Sequence, residues 1–145
     1  MPYQLNLDYL NHWLSIGKNA DQSKLPKIFY VNWFRRSSLG KFLWPGFGEN
    51  SRVLKWIFER CEGTAETVET PIGNLPNVDG LDFSGLNLTD TQIAELLRVE
   101  VDGWLEEIPL IEDYYATYGN HVPEELHKEL IELKQRLEDA KQAAA

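Results

Sequence analysis

The sequence predicts a mixed α/β (α+β) fold dominated by helix, with one clear buried strand and a helical C-terminal third. Three observations carry this. Lys27-Ile28-Phe29-Tyr30-Val31-Asn32-Trp33-Phe34 is dense in β-branched and aromatic residues, the composition of a strand. It is apolar on both faces, as in a strand inside a larger sheet. From Thr89 onward, apolar residues recur at helical spacing. Between these blocks, residues 64–88 read as an extended linker, and residues 73–88 repeat Gly, Pro, Asn and Asp.

Taken in order, Tyr9, Leu10, Trp13, Leu14 and Ile16 fit one helix face, with Asn6 or Asp8 as its cap and Gly17 at its close. Residues 18–26 are polar and end at Pro26, a loop. The strand 27–34 follows, then a charged turn from Arg35 to Lys41. Phe42-Leu43-Trp44-Pro45-Gly46-Phe47-Gly48-Glu49-Asn50 is a loop, because Pro and Gly interrupt regular structure. Ser51 to Cys61 reads as a helix with Val53, Leu54, Ile57 and Phe58 as its apolar face and Gly63 past its end. Thr67 to Ile72 fits a short edge strand, since Pro71 lacks a donor. Thr89 and Gln92 form a Thr-x-x-Gln capping box ahead of Ile93, Leu96 and Leu97. Trp104, Ile108, Ile111, Tyr115 and Tyr118 continue the helical spacing, with Pro109 predicting a kink or a break. Pro123 opens a last helix faced by Leu126, Leu130, Leu133 and Leu137. A single two-sided apolar strand is not stable as a free edge. Either other segments complete its sheet or a partner chain does.

The chain has 145 residues, enough for one domain with a real core. One cysteine, Cys61, excludes an internal disulfide and a cysteine-based metal site, and a reducing, cytoplasmic compartment is expected. The N-terminus has neither a basic region nor a long apolar core, so no signal peptide is expected. No apolar run reaches membrane-spanning length, so no membrane partner is expected. The net charge of −9 conceals an asymmetry: residues 18–60 carry nine Lys and Arg against three acids, and residues 61–145 carry five against nineteen. The positive segment surrounds the aromatic loop and favours an anionic ligand there. Charges scattered over solvated faces are the competing explanation. The acidic half argues against nucleic-acid binding.

The candidate chemistry lies in the loop. Phe34, Phe42 and Phe47 sit on nearby backbone and could form a slot for a flat base, where stacking is worth about 1–3 kcal/mol. Gly46 and Gly48 would let a ligand approach the backbone. The Asn50 amide offers one acceptor and two donors, which suits a purine edge. Against this, Phe and Trp commonly fill cores, and Asn before a helix commonly serves as its cap. His12, His121 and His127 lie far apart in sequence, and none pairs with a nucleophile. No Gly-x-x-x-x-Gly-Lys-[Ser/Thr] phosphate loop occurs. No catalytic residue and no metal ligand is therefore expected in this chain.

The run from Lys24 through Arg36, then Gly40-Lys41-Phe42 through Asn50-Ser51-Arg52-Val53-Leu54-Lys55-Trp56, closely resembles the GTP-dependent phosphoenolpyruvate carboxykinases. Thr70-Pro71-Ile72-Gly73 and the helical C-terminus also fit the end of that family. The resemblance covers nearly the whole chain and is most specific over residues 24–60. It implies the C-terminal part of a mixed-sheet nucleotide-binding domain over residues 1–145. Within it lie a guanine-binding strand-loop-helix at 24–60, an extended linker at 64–88 and a helical region at 89–142.

The family converts oxaloacetate and GTP to phosphoenolpyruvate, CO2 and GDP in gluconeogenesis, using Mn²⁺ and Mg²⁺. The resemblance implies that Phe34, Phe42 and Phe47 enclose guanine, that Phe47, Gly48, Glu49 and Asn50 line the nucleotide site, and that Asn50 reads the base edge. The family's phosphate loop, reactive cysteine, metal ligands and substrate arginines have no counterpart here, and Cys61 is not that reactive cysteine. The turn Ser37-Ser38-Leu39 also departs from the family's usual charged turn. The expected partners are a guanine nucleotide and the remainder of a carboxykinase chain, with no carboxykinase activity in this chain alone. The competing expectation is a non-enzymatic interaction module whose strand and leucine-faced helix bind another chain.

Overall fold

In the computed structural model of the protein, which describes residues 2–144, the elements are five helices and one small sheet. The helices are α1 (Pro2–Asn19), α2 (Asn50–Glu62), α3 (Asp90–Leu97), α4 (Val101–Ala116) and α5 (Glu124–Ala143). The sheet is a hairpin of β1 (Val68–Thr70) and β2 (Gly73–Leu75). The chain divides into two compact units, one running to Pro26 and resuming at Glu100, the other spanning Lys27–Val99.

In the first unit α1 runs straight through Asn6 and Asp8, so neither position begins the helix. Proline at its first described position suits a helix start, because that N–H has no intrahelical partner. The helix also passes Gly17 and ends at Asn19. Side chains take the place of a glycine cap there: the Asn19 amide donates to the Ser15 carbonyl at 2.9 Å and the Gln22 amide to the Gly17 carbonyl at 2.6 Å. Lys18 in the last turn of α1 pairs with Glu125 in the first turn of α5. Helices α4 and α5 pack on each other around Ile108, Leu130 and Leu137, the last fully buried at 0% exposure. Asp102 near the start of α4 meets Lys141 near the end of α5 at 2.7 Å, so the two helices run antiparallel. Helix α4 stays continuous through Pro109.

In the second unit the expected buried strand at 27–34 is corrected. The segment is extended, but among the described residues no strand pairs with it. Phe29, Val31 and Trp33 are half-buried on one face, while Ile28 and Tyr30 on the other are 92% and 94% exposed. A strand is buried on both faces only when neighbouring strands carry cover on each side, and among the described residues the one sheet is the β1–β2 hairpin. Its end is also earlier than expected. The Asn32 side chain accepts from the Phe34 N–H at 2.9 Å, an Asx turn that bends the chain at Trp33–Phe34.

The charged turn proves to be a tight hairpin. Leu43 N–H donates to the Arg35 carbonyl at 2.9 Å and Ser37 N–H to the Lys41 carbonyl at 2.8 Å, with Arg36 opposite Phe42. Helix α2 exceeds its expected range by one residue at each end, and Gly63 closes it in the left-handed conformation at φ +78. Its inward face is rotated from the expected one. Trp56 is buried, with Val53, Ile57 and Arg60 beside it, whereas Leu54 and Phe58 are exposed. Trp56 meets Phe29 edge-on at 6.2 Å, so the extended segment decides which face of α2 is covered.

Residues 64–88, expected to be extended, contain β1 and β2 paired as Val68–Leu75, Glu69–Asn74 and Thr70–Gly73. Pro71 thus occupies the two-residue turn rather than an edge strand, where its fixed φ is an advantage. Gly73 follows at φ +122, a region that only glycine enters readily. Leu81 from this segment is buried. The Thr89 capping box on α3 forms on both sides, with Gln92 N–H donating to Thr89 Oγ1 and Thr89 N–H to Gln92 Oε1.

Replacing the fully buried Leu137 with Ala is expected to destabilise the protein by about 2–5 kcal/mol. Thr89→Ala is expected to cost about 1 kcal/mol through loss of the cap. Thermal or urea denaturation of the two variants checks the order, and a costlier cap than core residue contradicts the packing described.

Candidate functional site

The aromatic loop hangs on a buried root. Leu43 and Trp44 are only 2% and 6% exposed, and Trp44 packs against Trp33 at 5.8 Å between ring centres. These two residues fill the interior, as the core-filling alternative requires. The phenylalanines do not: Phe34, Phe42 and Phe47 are all exposed, Phe47 at 91%. Phe34 and Phe42 stand edge-on at 6.2 Å, and the Arg36 guanidinium lies 4.2 Å over the Phe42 ring. That cation–π contact, with the Arg36 donation to the Gly40 carbonyl at 3.0 Å, stiffens the hairpin beneath the ring. Phe47 stands apart and makes no ring pair among the described residues.

Gly46 carries φ +129 with ψ −174, a conformation for glycine, and turns the chain into a 3-10 turn at Phe47–Glu49. Helix α2 begins directly after it. A Cβ on Gly48 would meet nothing within 4 Å, so Gly48 is not required by packing in this chain.

Asn50 is not a cap. No side chain caps α2, and the Asn50 Oδ1 instead accepts from the Trp44 indole N–H at 2.8 Å. Glu49 is engaged as well: its carboxylate accepts from Arg52 Nε at 2.6 Å, and Arg52 Nη1 donates to the Asp82 carbonyl at 2.7 Å. The 82–84 turn is thereby tied to the start of α2. Asp82 also accepts from the Ser84 hydroxyl at 2.5 Å and the Ser84 N–H at 3.0 Å. These bonds hold the Asp82 carboxyl below the usual carboxylate range, with the charges of Arg52 and Lys55 adding to the effect.

The basic residues around the loop have partners of their own. Lys27 Nζ donates to the Arg60 and Cys61 carbonyls at 2.9 and 3.4 Å, and Arg60 donates to the Ala65 carbonyl at 2.9 Å. Arg35 donates to the Leu96 and Arg98 carbonyls at 3.1 and 2.5 Å. The charges of Lys27, Arg35, Arg36, Arg52 and Arg60 therefore serve helix ends, the hairpin and Glu49. His127 packs edge-on against Tyr115 at 5.5 Å, and burial raises the Tyr115 hydroxyl above its ordinary value. Among the described residues no three His, Cys, Asp or Glu side chains gather into a metal site, and no helix is long and apolar enough to cross a membrane.

The structure thus brings Phe34 to Phe42 and ties Glu49 and Asn50 into the root of the loop, while Phe47 and Gly48 project from it. Sequence reading missed the structural parts of Arg36, Trp44 and Arg52. The Arg52–Glu49 pair, three residues apart at a helix start, carried a local signal. The Trp44–Asn50 bond spans a turn of undetermined path and carried none.

A helix-rich α/β segment whose loop offers aromatic faces on a buried root is the class these features define. A family model described as the phosphoenolpyruvate carboxykinase C-terminal P-loop domain matches residues 1–136. The chain is 52% identical over 130 residues to phosphoenolpyruvate carboxykinase [GTP] of Renibacterium salmoninarum, covering 90% of this chain and 21% of that protein. It is 46% identical over 138 residues to the same-named protein of Treponema pallidum, covering 94% and 22%. For the Neocallimastix frontalis protein the figures are 48% over 134 residues, 92% and 22%. The chain belongs to the GTP-dependent phosphoenolpyruvate carboxykinase family, matching its C-terminal domain. It spans about a fifth of the length of these relatives.

The lowered Asp82 carboxyl fixes a pH dependence. Its stabilising contribution is complete above the carboxyl's ordinary value and is lost as pH falls through the lowered one. An NMR titration is expected to show Asp82 below an unstructured aspartate, with Ser84→Ala moving it upward. An unmoved Asp82 in that variant contradicts the turn.

Proposed function

We propose that residues 24–60 form the guanine-binding strand-loop-helix of a phosphoenolpyruvate carboxykinase, within the C-terminal part of its nucleotide-binding domain, and that the whole enzyme converts oxaloacetate and GTP to phosphoenolpyruvate, CO2 and GDP. The observation that carries this reading is the exposure of Phe42 and Phe47 on a loop whose other aromatic, Trp44, is buried, together with the exposure of Phe34 beside Phe42. Exposed rings on a rigid root offer π-faces to a base. The relatives' printed name supplies GTP. The same rings and Gly48, Glu49 and Asn50 are assigned to the nucleotide site, with Asn50 on the base edge and Glu49 acting through Arg52 to hold the helix start.

The Mn²⁺ and Mg²⁺ of the family do not fit the residues present: no ligand cluster occurs among the described residues, and no phosphate-loop motif occurs in the sequence. We assign the metals, the triphosphate and the chemistry to the part of the enzyme that this chain does not span. The same part supplies the partner for the extended segment. Ile28 and Tyr30 expose an apolar face on a segment with no ladder partner among the described residues, the surface that a neighbouring strand would cover. Self-association through that face is the second reading, and light scattering separates the two, since a defined homodimer favours it. A reducing, cytoplasmic compartment agrees with the single exposed Cys61.

Stacking and a few hydrogen bonds supply about 3–6 kcal/mol, which association entropy largely offsets. The 145-residue chain alone is therefore expected to bind GTP no more tightly than about 1 mM. Tryptophan fluorescence during a GTP titration reads this through Trp33 and Trp44, and micromolar affinity refutes it. The isolated chain is expected to show no turnover of oxaloacetate with GTP and Mn²⁺; turnover would sink the division of labour proposed. In a full-length enzyme carrying this segment, Phe47→Ala and Asn50→Ala are each expected to weaken GTP binding about tenfold. Unchanged affinity in both removes the site assignment.

A further inference from the structure

We infer that Trp44 is a positioning residue that sets the hydrogen-bonding polarity of Asn50, so that the site accepts a 6-oxopurine and rejects a 6-aminopurine. The inference rests on the proposed base site and concerns how that site discriminates.

A side-chain amide has two chemically opposite ends, an acceptor oxygen and a donor NH2. Left to rotate, Asn50 could present either end and would serve guanine and adenine alike. The indole N–H only donates. It therefore holds the Asn50 Oδ1, at 2.8 Å, and forbids the flipped amide, which would set two donors against each other. The anchor is itself immobilised. Trp44 is 6% exposed and packed on Trp33, so water does not compete well for its N–H. The Asn50 backbone is fixed in α2, and its side chain is not diverted to capping that helix. Among the described residues nothing accepts from the Asn50 NH2.

What remains for a ligand is a donor of fixed sign. N7 accepts in both purines, but position 6 differs in sign: guanine presents an acceptor 6-oxo group there and adenine a donor amino group, so a donor aimed at position 6 discriminates. A donor facing a donor leaves two polar groups unpaired beneath a stacked base, and an unpaired pair is what a site built to hydrogen-bond its ligand discriminates against.

The test uses a full-length carboxykinase carrying this segment, with GTP and ATP affinities measured in parallel by equilibrium binding. Trp44→Phe keeps an aromatic ring at the root and removes the N–H. The GTP:ATP preference is expected to shrink about tenfold, the worth of one hydrogen bond. A root that merely loosens would weaken both nucleotides alike and leave the ratio unchanged, and that result overturns the inference. Asn50→Asp serves if the first variant does not fold. It keeps an acceptor for the indole N–H but offers the base no donor, so the preference is expected to move toward ATP; a wild-type ratio in this variant also overturns the inference. The underlying site reading fails differently. If Phe47→Ala and Asn50→Ala leave GTP affinity unchanged, the base does not bind here at all. If Asn50→Ala weakens GTP while Trp44→Phe keeps the ratio, only the role given to Trp44 falls.

Discussion

Two cations at helix ends hold the aromatic segment, and the loop depends on them. Lys27 and Arg35 stand at opposite ends of an extended run that has no ladder partner among the described residues. Lys27 reaches the last turn of α2 and Arg35 the end of α3. A helix's last carbonyls lack intrahelical donors and form the negative end of its dipole. Each cation meets both needs, at about 0.3–1 kcal/mol from the dipole alone. Arg35 does more, because its carbonyl also accepts from Leu43 and so launches the hairpin. One residue thus fixes the segment by its side chain and the loop's register by its backbone.

This arrangement changes the meaning of the segment's charge. Nine Lys and Arg between residues 18 and 60 suggest a surface waiting for an anion. Lys27, Arg35, Arg36, Arg52 and Arg60 instead complete helix ends, a hairpin and a carboxylate. What the loop offers outward is the aromatic surface of Phe42 and Phe47. The chain spans about a fifth of the length of its relatives in the family.

The parts of the fold legible in the sequence are those with local causes. The Thr89–Gln92 box caps α3 because both partners lie within one turn. The leucines of α5 fall on one face because their spacing follows the helix period, and Leu130 and Leu137 are buried there. Gly63 ends α2 because a left-handed residue is needed where the helix stops. The parts misread have non-local causes. A strand is defined by its neighbour, so Lys27 to Phe34 had the composition of a strand without a partner to pair with. The inward face of α2 differs from its periodicity because Phe29, distant in sequence, meets Trp56, which is buried while Leu54 and Phe58 are exposed. Pro71 fits an edge strand by its missing donor, but the pairing of Thr70 with Gly73 places it in the hairpin turn.

The candidate site divides along the same line. By itself the sequence determined that a Pro- and Gly-broken loop rich in aromatics precedes a helix, and through its likeness to a family it marked Phe34, Phe42, Phe47, Gly48, Glu49 and Asn50. Those are properties of residue type and order. Which rings are exposed and which buried, that Asn50 bonds an indole and not the helix backbone, and that Glu49 serves Arg52, were decided by the tertiary structure. Burial and hydrogen bonding are settled by what else arrives at the same place. Chain order does not contain that information until the hairpin, the helix ends and the 82–84 turn have closed around the loop.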